Sequence, residues 1–481
     1  MADVIVVGGG LAGLVAARHL AARGENVTLL ERRSTLGGRV RSECVDGFTL
    51  DRGFQVLFTA YPAVQRELNL DALDLGAFRP GATVALDDSR SGVADPLGDP
   101  GGLLGTLFSD ALTLGDAWRL FRLRQELAST PPEDLLRPAD TTIREYLRER
   151  GFSARFVERF AAPFYGGIPL DRSLSTSSAI FRYTFTMLAA GRIAIPAEGM
   201  GAIPAQLARA AEAAGAQLEV GREVESVGPD GDGSGNGSGN ESGNENLSGV
   251  TVETQGETLA ADAVVVATDP ASARALTGVD TIPRASRGCV TQHFALPSTQ
   301  RLHVRHPLIL NAAPTGPNQV AIVSDATPAL APDGRQLLSA TFLDSTASGD
   351  EEEDTGGEGS ATEPRGGAPA PEDAKPAVEH AKPAPDEHAE PALDAEALAE
   401  QVRETLAGWF PENRFADLEL LRTHRIDHAQ HVQPPGVLAT RPAVDAPVGP
   451  VYLAGDFTRW ASIQGALESG QRAAAAVESS P

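Results

Sequence analysis

The start of the chain constrains its fold more than any other stretch. Residues 3–13 read Asp-Val-Ile-Val-Val-Gly-Gly-Gly-Leu-Ala-Gly, a short β-branched apolar run that breaks into Gly8-x-Gly10-x-x-Gly13. An Ala-rich stretch of helical composition follows over 14–23, and residues 26–31 read as a second strand ending in the acid Glu31. Strand, glycine turn, helix and strand in that order predict a βαβ unit that presents a helix N-terminus to a dinucleotide pyrophosphate. Gly8 allows the tight turn, Gly10 lets the backbone approach the phosphates, and Gly13 lets the helix pack close to the strand. Leu11 and Ala12 stand at the opening of that helix, where free N–H groups and the dipole favour an anion. Glu31 follows Gly13 by 18 residues and is placed to accept hydrogen bonds from the adenosine ribose. An acid there disfavours a ribose 2′-phosphate, so NADP fits poorly.

Two further stretches separate FAD from NAD. Directly after Glu31 come Arg32, the pair Gly37-Gly38 and Arg39. A second glycine pair beside a guanidinium suits another approach of backbone to pyrophosphate. At the far end, residues 451–456 (Val-Tyr-Leu-Ala-Gly-Asp) read as a strand ending in Gly455-Asp456, with Asp456 placed to hold a ribityl hydroxyl. A small-residue helix is expected from Ser462, Ile463 and Gly465 onward. Its N-terminal dipole would point at the flavin pyrimidine carbonyl, where negative charge builds on reduction. Val224, in a strand expected over 218–227, is placed to meet the adenine through its backbone.

These motifs, Gly-Gly-Gly-Leu-Ala-Gly-Leu, Glu-Arg-Arg-x-x-x-Gly-Gly-Arg and Tyr-Leu-Ala-Gly-Asp-Phe…Ala-Ser-Ile-Gln-Gly-Ala-Leu-Glu-Ser-Gly, resemble the flavin-containing amine oxidoreductase superfamily. That superfamily includes amine oxidases, protoporphyrinogen oxidases and phytoene desaturases. Residues 51–62, 163–167 and 196–204 look like its desaturase-like branch. The resemblance implies an α/β fold in which a Rossmann-like FAD/NAD(P)-binding domain is interleaved with an α+β substrate domain. FAD-binding pieces are expected at 1–75, 196–270 and 436–481, and substrate-domain pieces at 76–195 and 271–435. In amine oxidases of the superfamily a lysine holds a water beside the flavin and assists reoxidation by dioxygen. This chain has two lysines, Lys375 and Lys382, both inside an acidic stretch. The resemblance therefore points to FAD-dependent dehydrogenation of an apolar, isoprenoid-type substrate, with quinone or dioxygen as candidate acceptor. Oxidation of an amine or of a protoporphyrinogen-like ring, and a non-catalytic flavin-binding role, stay open. The catalytic residues are unknown at this stage; Gln55, Tyr61, Tyr165 and His428 are the side chains with suitable chemistry near the motifs.

Composition narrows the setting. The formal charge is −25, concentrated in residues 344–392, where 14 acids stand against Arg365, Lys375 and Lys382, and in residues 228–249, with four acids and no base. Both stretches are expected to be polar inserts, the first disordered and the second a flexible linker, because neither holds enough apolar surface to order itself. The sequons at Asn236, Asn240 and Asn246 are read as accidents of composition. Lysine depletion with excess acid resembles a high-salt, haloarchaeal cytoplasmic protein. Two cysteines, Cys44 and Cys289, form no framework and suit a reducing cytoplasm. Nothing is basic enough for nucleic acid. No apolar run reaches transmembrane length, and the His424, His428, His431 group makes no metal site. Residues 103–123 are apolar and amphipathic, which fits either a core-packed helix or a peripheral membrane contact.

Overall fold

The computed structural model describes residues 2–86, 89–94, 98–99, 101, 109–137, 140–229, 249–343, 394–446 and 449–478. Most of the two acidic inserts, the three sequons and residues 102–108 lie outside the described residues.

Strand β1 (Asp3–Val7) is buried from Val4 onward, and its alternate side chains serve two different cores, as a period-two element between two layers must. Val4 and Val6 join helix α1 (Leu11–Ala22), whose Leu14, Val15 and Ala16 are fully buried. Ile5 and Val7 pack on the other side against an antiparallel meander of β11 (Val224–Pro229), β12 (Val250–Thr254) and β13 (Glu257–Ala261). β1 lies at the centre of a five-stranded parallel sheet. Its order is β10 (Gln217–Val220), β2 (Asn26–Glu31), β1, β14 (Ala263–Val266), β20 (Val451–Leu453). Strands distant in sequence thus meet in one sheet, and all their C-terminal ends share one edge.

Two expectations need correction here. The single strand expected over 218–227 is two strands in two different sheets, separated at Gly221, whose φ of +71° turns the chain. β14 pairs with both β1 and β20, and β20 takes the edge. The expected linker also begins later than composition suggests, because Gly228 and Pro229 still pair in β11 with Thr251 and Val250.

The second body is a mixed seven-stranded sheet. Its order is β19 (Glu419–His431), β15 (Ser286–Pro297), β18 (Arg335–Leu343), β17 (Gln319–Ile322), β16 (Leu308–Asn311), β7 (Gly81–Leu86), β8 (Ser89–Ala94). Phe294, Leu296, Leu338 and Ala340 face a helix over Ala395–Trp409 through Val402, Leu406 and Trp409. The opposite face, including Ala295, Leu337 and Ala321, joins the same core as α1. Small sheets connect the bodies: β3 (Ser42–Val45) with β4 (Phe48–Asp51), and β9 (Ile193–Pro196) between β5 (Leu57–Phe58) and β6 (Leu75–Ala77).

Two more helices matter below, α2 (Leu114–Ala128) and α3 (Ile463–Glu478). Thr113 opens α2 with a capping box in which Asp116 answers. No helix among the described residues is long and apolar enough to cross a membrane.

Candidate functional site: the dinucleotide cradle

The glycine fingerprint lies where β1 gives way to α1. The N–H of Gly9 donates to Glu31 Oε2 at 2.7 Å, and Arg33 N–H donates to Oε1 at 3.0 Å. The strand-end acid is thereby held by two backbone N–H groups and buried. A Cβ at Gly13 would lie 2.0 Å from the Gly8 carbonyl oxygen, so α1 can approach β1 this closely only through a glycine. At Gly10 the reverse holds: an added Cβ would meet no protein atom within 4 Å. The backbone here is open in front of the first turn of α1, as a cradle for a bulky anion requires.

The second glycine pair folds back onto the first. Gly37 N–H donates to the Gly9 carbonyl at 2.8 Å, and a Cβ on Gly38 would touch Gly10 Cα at 3.2 Å. Arg39 then crosses to the other terminus of the chain. Its guanidinium lies 2.7 Å from Asp456 Oδ1 and also donates to the Ala429 carbonyl. Burial pushes the Asp456 carboxyl up, but the Arg39 charge and the nearby His431 outweigh it, and its pKa stays below the usual carboxylate value. Asp456 in turn raises that of Arg39. His431 is itself held down, first by burial, and its Nδ1 has no partner within the protein.

The C-terminal motif is built on contacts as close. Gly455 N–H donates to Ser469 Oγ, and Ser462 Oγ accepts from Gly465 N–H at 2.8 Å, capping α3. Ile463 opens that helix. A Cβ at Gly465 would lie 2.1 Å from the Trp460 carbonyl oxygen, and one at Gly470 would lie 2.2 Å from that of Ala12, so α3 packs tightly on α1. Trp460 is buried, with its indole N–H unpartnered within the protein. Val224 opens β11 and packs against the cluster that includes Val7 and Leu30, two residues after Arg222 N–H bonds the Glu31 carbonyl. Arg32, about half exposed, lies 3.8 Å from Asp269.

Sequence reasoning missed a second feature, next to the cradle. Gln55 donates to the carbonyls of Arg39 and Arg52, and it also lines a cavity of about 10 Å³ with Asp51, His293, Ser339, Phe54, Ile195 and Leu337. That is room for about one water. His293 and Ser339 are direct cross-strand neighbours on the inner face of the large sheet. His293 donates from Nε2 to the Asp51 carbonyl, which leaves Nδ1 as the bare acceptor; Nδ1 and Ser339 Oγ are both buried without a partner. Burial pushes Asp51 up to about 6, against hydrogen bonds from Ser42 and Met200, and pushes His293 down to about 4.

The other chemically suitable side chains lie elsewhere. Tyr61 stacks on Tyr183, which meets Trp460 edge-on at 5.0 Å, so it is one ring removed from the C-terminal motif. Tyr165 is a core residue against Phe181. His428 is exposed on β19 and bonds Ser286 Oγ at 2.6 Å. No group of three His, Cys, Asp or Glu that could hold a metal occurs among the described residues.

The model of the family described as flavin containing amine oxidoreductase matches residues 11–358 and 370–478. The chain belongs to this family. It is an FAD-dependent oxidoreductase. Phytoene dehydrogenase of Streptomyces griseus is 30% identical over 259 residues, covering 48% of this chain and 50% of the relative. Putrescine oxidase of Kocuria rosea is 44% identical over 87 residues, 18% of each. The matches thus span half or less of these relatives. An oxidoreductase of known structure from Methanosarcina mazei shares the fold, with a TM-score of 0.66 at 18% identity over 98% of this chain and 99% of that one. The cradle fits FAD: it has open backbone at Gly10, a buried acid at the end of β2 in Glu31, a cation at Arg39, and buried unpartnered N–H and N atoms at Trp460 and His431.

Proposed function

We propose that this flavoenzyme dehydrogenates an apolar, isoprenoid-type substrate and passes the electrons to an acceptor such as a quinone rather than to dioxygen. Bound FAD supplies the two-electron acceptor chemistry. The protein's part is to bind, orient and exclude water. In this reading Gly8, Gly10, Leu11, Ala12 and Gly13 face the pyrophosphate with Gly37, Gly38 and Arg39. Glu31 and Arg32 face the adenosine ribose and Val224 the adenine. Gly455, Asp456, Ser462, Ile463 and Gly465 serve the ribityl chain and the ring.

The observation that carries the substrate class is the wall beyond Arg39. Phe54, Ile195, Val323, Leu330 and Leu337 line the cavity, and its one carboxyl, Asp51, is pushed toward its neutral form. To an ammonium substrate this wall offers only that carboxyl and the bare acceptors of His293 and Ser339. The described residues contain no lysine, which further disfavours amine oxidation of the usual kind. The similarity to phytoene dehydrogenase agrees with this reading.

The test is anaerobic photoreduction of the purified flavoprotein followed by mixing with quinone or with air-saturated buffer. Faster reoxidation by quinone, together with conversion of phytoene in cells that accumulate it, is the expected result. Rapid reoxidation by air with hydrogen peroxide release, and an unchanged carotenoid profile, would overturn it.

A further inference from the structure

Three of the four most exposed large apolar side chains among the described residues lie on one helix. Leu114, Trp118 and Phe121 of α2 are 67%, 58% and 53% exposed, at spacings that place them on one face. The face is not a loosely packed side of a mobile helix. Asp116, fully buried, accepts from the N–H and Oγ of Ser153 at 2.8 and 2.6 Å and from the N–H and Oγ1 of Thr113 at 2.9 and 2.6 Å. Leu123 and Leu127 are buried inward, and Arg124 donates to the Ala189 carbonyl at 2.8 Å. These contacts fix the rotation of the helix, so the apolar stripe points outward by construction.

The charges around the stripe match an anionic surface. Arg122 lies over the Trp118 ring at 4.9 Å, and the partly exposed Arg119 lies 3.9 Å from the buried Asp116 carboxylate. The one acid on the outer face, Glu126, is paired with Arg150 through both carboxylate oxygens. The charge of the whole chain is −25. At physiological ionic strength the screening length is about 8 Å, so local arginines rather than distant acids decide what this face meets. Ser153, which grips Asp116, also caps the turn where a file of rings begins. Phe152, Phe156, Phe160 and Phe164 follow at 4.7, 5.6 and 5.4 Å and end on Tyr165 and Phe181.

We propose that the outer face of α2 is a docking surface for an anionic phospholipid bilayer. Leu114, Trp118 and Phe121 enter the headgroup–acyl boundary, and Arg119 and Arg122 meet lipid phosphates. The proposal goes beyond the substrate assignment, and its test needs no turnover.

The FAD-loaded full chain is mixed with vesicles of phosphatidylglycerol and phosphatidylcholine, or of phosphatidylcholine alone. Trp409 and Trp460 are buried, so acrylamide quenching reports on Trp118. Co-sedimentation with the anionic vesicles, a blue shift and protection of Trp118 are expected. Trp118→Ser with Phe121→Ser should lower partitioning at least about tenfold while flavin absorbance and Tm stay unchanged. Arg119→Gln with Arg122→Gln should weaken only the anionic preference. The proposal is overturned if the wild-type chain ignores vesicles, or if the serine variant binds them equally well. It is also overturned if Trp118 becomes protected without vesicles as protein concentration rises, which would make the face a contact between two copies of the chain.

Discussion

Removing the carboxylate of Asp456 leaves the Arg39 guanidinium facing a buried amide with no counter-charge. Breaking a buried pair costs about 3–5 kcal/mol, but Arg39 is partly exposed, so about 1–2 kcal/mol is the expected loss of stability in Asp456→Asn. The effect on FAD should be larger in proportion, because the same carboxylate is proposed to hold a ribityl hydroxyl. A flavin fluorescence titration should show affinity weakened tenfold or more. Asp51 makes a different kind of prediction. Its folded pKa of about 6 stands above the ordinary 3.8, so the folded chain binds that proton more tightly than the unfolded one. Stability is therefore lost as pH rises from about 4 to about 6, by about 3 kcal/mol at most, and Asp51→Asn should abolish that slope. His293 works in the opposite sense. With a folded pKa near 4 against 6.5, it costs stability as pH falls through that window, and His293→Gln should flatten the acid side. Urea midpoints from pH 4 to 8 in wild type and both variants would check the two signs together.

At the scale of elements, two glycines of one motif should fail in different ways. Gly13 has the Gly8 carbonyl 2.0 Å from where a Cβ would stand, so Gly13→Ala forces α1 off β1 at a cost of about 3 kcal/mol or more. Gly10 has extended backbone, φ −78° and ψ −178°, and open space. Gly10→Val should cost under about 1 kcal/mol yet fill the phosphate cradle. A thermal melt and a flavin spectrum should show Gly13→Ala losing both fold and colour, and Gly10→Val losing colour alone. A Gly10→Val protein that stays yellow would place the pyrophosphate elsewhere. The βαβ unit was legible because its signal is local: an apolar run, a glycine turn and an Ala-rich helix are contiguous in the chain. The C-terminal strand and helix were legible for the same reason. The split at Gly221 was not, since one glycine in a strand pattern reads equally as a bulge or a turn. The place of β14 between β1 and β20 was not legible, because strand order depends on partners far apart in the chain. The cavity polar group was hidden because it depends on the register that sets His293 opposite Ser339, with Asp51 arriving from another sheet.

For the whole molecule, the uneven charge yields the last prediction. Of a formal −25, the two acidic stretches outside most of the described structure carry −15, and the remaining body about −10. Self-repulsion grows roughly with the square of charge and is screened by salt. If repulsion alone set a requirement for salt, replacing residues 345–391 and 231–247 by short Gly/Ser segments should remove most of it. β18 ends at Leu343 and the next helix begins at Ala395, so both flanking elements keep their ends. The shortened chain should retain flavin and show a Tm that rises far less between 0.1 and 3 M KCl than that of the full chain. The competing expectation follows from the lysine-free body, whose hydrated acidic surface would itself need salt. In that case the shortened chain keeps the full salt dependence, and the requirement belongs to the folded surface rather than to the inserts. Melts of both chains across the same salt series distinguish the two, because the first reading predicts diverging slopes and the second predicts parallel ones.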